Sequence, residues 1–79
     1  MLLNNAIFAA KLVAIKDGIS MVVVHAPLQR KEWETEAEAY GYGPVEGYRT
    51  LFPGATLVGA IGLNGIYFRR PECKGKTPA

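Results

Sequence analysis

Thiol chemistry has almost no material in this chain: of 79 residues, one is a cysteine. A lone Cys73 excludes an intrachain disulfide and a thiolate zinc cluster, and cysteine this sparse points to a reducing compartment, the cytoplasm. Cys73 itself reads as incidental, because a reactive thiol needs an activating environment. Histidine and serine are equally scarce. His25 closes an apolar run beside Ala26-Pro27, with no second ligand at metal-binding spacing. Ser20 is the sole serine, and a Ser20–His25–Asp17 arrangement would lie along one short hairpin whose geometry splays its members. No catalytic residue, metal or cofactor is therefore expected, and the chain reads as a non-enzyme.

Other absences narrow the field further. The glycine-containing run G-Y-G-P-V-E-G at 41–47 lacks the Lys-Ser/Thr ending of a phosphate loop. Net charge is only +2, too little to imply a polyanionic partner by itself. The opening MLLNNAIFAAKLVAIKDG has no basic leader region, and Lys11 and Lys16 break it well short of membrane-spanning length. Neither a membrane nor a metal is expected among the partners.

What is present is apolar: 49% of the residues, enough to argue against disorder. The length suits one domain, 1–70, followed by a polar Pro/Gly-containing tail, 71–79, expected to be flexible. The clearest local pattern is T-L-V-G-A-I-G-L-N-G-I-Y-F-R-R at 56–70, two strand-like runs around Asn64-Gly65. A two-residue turn there pairs Leu63 with Ile66, Gly62 with Tyr67 and Ile61 with Phe68. Leu57, Ile61, Leu63, Ile66 and Phe68 then share a core face. Val58, Ala60, Gly62, Tyr67 and Arg69 share the other, with Tyr67 covering Gly62.

Residues 6–16 allow two readings. Alanines and lysines favour a helix that Gly18 could cap, whereas Val22-Val23-Val24 reads as strand and suggests a hairpin of 6–15 with 19–26 across Lys16-Asp17-Gly18. The hairpin is the simpler account. It puts Phe8, Leu12, Val22 and Val24 on one side and Ile7, Val13, Ile15, Met21 and Val23 on the other. Arg30 to Tyr40 reads as a helix burying Trp33, Ala37 and Tyr40, stopped by Gly41 and Gly43. Pro44 starts a shorter helix through Phe52, and Pro53-Gly54 ends it. The expected fold is α+β: a small two-layer sandwich in the order β-β-α-(α)-β-β, an antiparallel sheet of two hairpins with the helices on one face.

Two apolar sheet faces exceed what two short helices can shelter, and surplus apolar surface marks an interface. The expected function is a non-enzymatic protein–protein interaction module that self-associates or docks on a larger protein. By analogy of size and layout alone, phage or mobile-element inhibitors take this form. The candidate apolar interface is Ile7, Val13, Ile15, Met21 and Val23. A second candidate surface comprises Val58, Tyr67, Arg69, Arg70, Glu32 and Glu36. The alternative is a nucleic-acid-binding domain, with Tyr67 stacking on bases and Arg69, Arg70, Lys74 and Lys76 meeting phosphates.

Overall fold

The computed structural model describes residues 1–69; Arg70 and the expected tail, with Cys73, Lys74 and Lys76, lie outside the described residues. The chain opens with a helix, α1 (Leu3–Asp17), where the hairpin reading placed a strand. Ala6, Ala10 and Ala14 recur at i, i+4 and i+8, and all three are fully buried, so a smooth helical face lies directly on the sheet. Gly18, at φ 67°, closes the helix by donating its N–H to the Ala14 carbonyl at 2.9 Å. Asp17-Gly18 is thus a helix stop, using the left-handed conformation that glycine adopts cheaply.

Strands β1 (Met21–His25) and β2 (Tyr40–Pro44) follow, then helix α2 (Tyr48–Leu51) and strands β3 (Thr56–Ile61) and β4 (Tyr67–Arg69). They form one antiparallel sheet in the order β2-β1-β3-β4. The class is α+β, as the sequence suggests, but the element order is α-β-β-α-β-β. The helix expected over 30–40 is absent. That stretch runs through a short 3-10 turn, Glu36–Glu38, closed by a capping box in which Glu38 accepts from the Thr35 N–H at 3.1 Å. Trp33, expected in a buried stripe, is 80% exposed. Pairing with β1 outweighs the helix propensity of Glu and Ala, and the Ala26 N–H reaches the Ala39 carbonyl at 2.7 Å as the strands meet.

Both sheet faces are covered by the chain itself. Met21, Val23 and Ile61 lie beneath the alanines of α1, with Tyr40, Tyr42 and Tyr67 around them. Val22, Val24 and Ala26 lie on the opposite face, under Tyr48, Phe52 and Leu57. A β-carbon at Gly41 would come within 2.8 Å of the Phe52 ring, so glycine in β2 is what lets that ring rest on the sheet. Met21 and Val23, expected at an interface, are core. Ile7 and Val13 are half-buried along the core's edge.

The last hairpin is one residue out of the expected register. Its loop is Leu63-Asn64-Gly65, with Gly65 at φ 81°, and the Gly62 N–H donates to the Ile66 carbonyl at 3.2 Å. Ile61 therefore pairs with Tyr67 and Ala60 with Phe68. A slip of one residue exchanges the two faces. Tyr67 turns toward the α1 side and Phe68 outward, and Tyr67 covers Gly59 rather than Gly62. A bulge beside Val23 and Val24 puts Val58, the extra residue, against the α1-side core.

Candidate interaction surface

Helix α1 is packed small side in. While Ala6, Ala10 and Ala14 are at 0% exposure, Phe8, Leu12 and Ile15 are exposed by 64%, 53% and 62%. These three recur at i, i+4 and i+7, so they form one strip about 10 Å long at 1.5 Å per residue. Lys11 and Lys16 flank it on its two sides, and Asn4 and Asn5 lie beyond its N-terminal end on the same exposed arc. No acid occurs before Asp17, and neither lysine forms an ion pair among the described residues.

The strip continues onto the β3–β4 loop. A β-carbon at Gly65 would sit 2.7 Å from Ile15 Cδ1, so loop and helix are in contact there, and Leu63 and Ile66 beside it are exposed. Beyond the helix end, Ile19, Val45 and Leu63 line an open cleft of about 260 Å³ whose polar side chains are Ser20 and Glu46. That is below the size of ordinary small-molecule sites and lacks a converging polar set.

The other candidate residues are dispersed. Tyr67 is half-buried, and desolvation raises its phenol above the usual value of 10.0; it is no outward stacking platform. Arg69 is exposed at the end of β4, and Arg70 lies outside the described residues. Val58 is half-buried against the core. Glu32 and Glu36 are exposed on the 30–38 segment. Glu34, between them, accepts a hydrogen bond from the Met1 amine and another from the Lys31 N–H, which together hold its carboxyl below the usual 4.5.

His25 tilts against Tyr40, with ring centroids 4.9 Å apart, and donates from Nε2 to the Glu36 carbonyl at 2.5 Å. That bond ties the 30–38 segment to the end of β1. Ser20 and His25 sit at opposite ends of that strand, about 16 Å apart at roughly 3.3 Å per residue, so no triad is assembled. Among the described residues no group of three or more His, Cys, Asp or Glu side chains could hold a metal ion, and no helix is long and apolar enough to cross a membrane.

Comparison of the chain with protein-family models, curated proteins and solved structures finds no match. The surface must be read from its own chemistry. Of the expected apolar interface, Ile15 alone is well exposed; Phe8 and Leu12 join it in place of the buried Met21 and Val23. The signal for this strip is the 8, 12, 15 spacing, which a strand reading splits between two faces.

Proposed function

We propose that this protein is a non-enzymatic protein–protein interaction module, docking through the outer strip of α1. One observation carries the reading: the helix turns three alanines inward and three large apolar side chains outward. A helix stabilising only its own fold gains by burying its largest side chains, each worth about 1.5–3 kcal/mol when fully removed from water. Phe8, Leu12 and Ile15 forgo most of that gain in the isolated chain, and a partner laid over them would recover it. The register takes Tyr67 away from the nucleic-acid alternative but leaves Phe68 exposed beside Arg69. What weighs against that alternative is a net charge of only +2, which gives little phosphate affinity.

The test is a Phe8→Glu/Ile15→Glu variant compared with the parent by light scattering and by affinity capture from the native cell. The parent should associate, with itself or a captured protein, and retain that association at high salt. The variant should lose it while keeping its circular dichroism spectrum. Identical behaviour of the two proteins, both monomeric and capturing the same set, overturns the reading.

A further inference from the structure

Resting on the reading of the α1 strip as a docking surface, we infer that its occupant is an acidic amphipathic helix of a partner protein. The apolar seam of that helix lies on Phe8, Leu12 and Ile15, and its carboxylates lie beside Lys11 and Lys16. Charge decides the sign. The lysines stand on both flanks of the strip, without ion pairs among the described residues, and the first sixteen residues contain no acid to neutralise them. A second copy applied strip to strip would set lysine against lysine. The chain's own segment 70–79 carries Arg70, Lys74 and Lys76 against Glu72, the same sign again.

Shape decides the class of partner. Along α1 the strip is one side chain wide, bounded laterally by Lys11 and Lys16 and at its N-terminal end by Asn4 and Asn5. It widens only past Ile15, onto the exposed Leu63 and Ile66 of the β3–β4 loop. Successive steps of four and three residues are the seam along which two helices interlock. A bilayer surface would engage a broader apolar face than this.

The experiment uses the full chain and two fluorescein-labelled synthetic helices with the same leucine seam, one flanked by glutamates and one by lysines. Fluorescence anisotropy should show the glutamate-flanked helix binding at least about tenfold more tightly, a preference that shrinks as salt rises. Lys11→Glu/Lys16→Glu should reverse the preference, and Lys11→Gln/Lys16→Gln should erase it. Phe8→Ser/Ile15→Ser should abolish binding of both helices. Equal binding of the two helices by the parent overturns the inference, as does tighter binding to phosphatidylserine-containing vesicles than to either helix. If neither helix binds but the parent self-associates in sedimentation and Phe8→Ser/Ile15→Ser abolishes this, the acidic helix is excluded and the docking surface stands. If there is no binding and no association, and the parent and Phe8→Ser/Ile15→Ser capture the same proteins from the native cell, both readings fall.

Discussion

Tyr67 lies over Gly59 of the neighbouring strand, so closely that a β-carbon at Gly59 would sit 2.6 Å from the ring's Cε1 and hydroxyl oxygen. The two are diagonal neighbours, since Gly59 pairs with Arg69 and Tyr67 with Ile61. The ring fills the place of a missing side chain and completes the core beneath α1.

Gly59→Val should therefore destabilise the fold by about 2–3 kcal/mol, because backbone as well as ring blocks the added carbons; the Phe68 carbonyl would be 2.7 Å from the first of them. Gly62→Ala, the position the other register would cover, should cost less than about 1 kcal/mol. Urea midpoints with unchanged slopes distinguish the two.

The orientation of α1 makes opposite predictions for its two faces. Ala10→Leu forces a large side chain between helix and sheet and should cost about 1–3 kcal/mol or more. Phe8→Ser, on the exposed face, should change stability by no more than about 0.5 kcal/mol. Thermal unfolding of the isolated protein checks both; a large loss from Phe8→Ser would mean that Phe8 belongs to the chain's own core.

Phe52 is the cover of the second sheet face, seated on Gly41 and half-buried. Phe52→Ala should cost about 1–3 kcal/mol, below the roughly 3–5 kcal/mol of fully buried aromatic truncations because the ring is not fully enclosed. Hydrogen exchange should speed up at the β1–β2 pairs Val22–Gly43 and Val24–Gly41.

The Glu34 carboxyl is held below its ordinary 4.5 by the Met1 amine first and the Lys31 N–H second. A depressed carboxyl favours the folded state above that value, and the contribution is lost as pH falls through the lowered one. Glu34→Gln should thus flatten the acid limb of the stability–pH curve below 4.5. The effect is small, since the contact lies at the surface, where solvent and salt screen it. A chemical-shift titration of the Glu34 side chain should place its midpoint below 4.5.

Much of the fold follows from local chemistry that the residues carry with them. Val22-Val23-Val24 is strand in any setting, Pro53-Gly54 is a turn, and the run around Asn64-Gly65 is a hairpin. Together these determine an α+β domain with an antiparallel sheet. Three decisions belong to the tertiary structure. Residues 3–17 are helix because three alanines can lie flush on a sheet that the segment cannot know of. Tyr40–Pro44 is a strand because β1 needs a neighbour, and that pairing outweighs the glutamate and alanine propensities just before it. The hairpin register is set by Tyr67 filling the space over Gly59, which moves the turn by one residue and exchanges the faces. The strip of Phe8, Leu12 and Ile15 became visible only after the first of these decisions: helical spacing gathers three side chains that a strand would have parted.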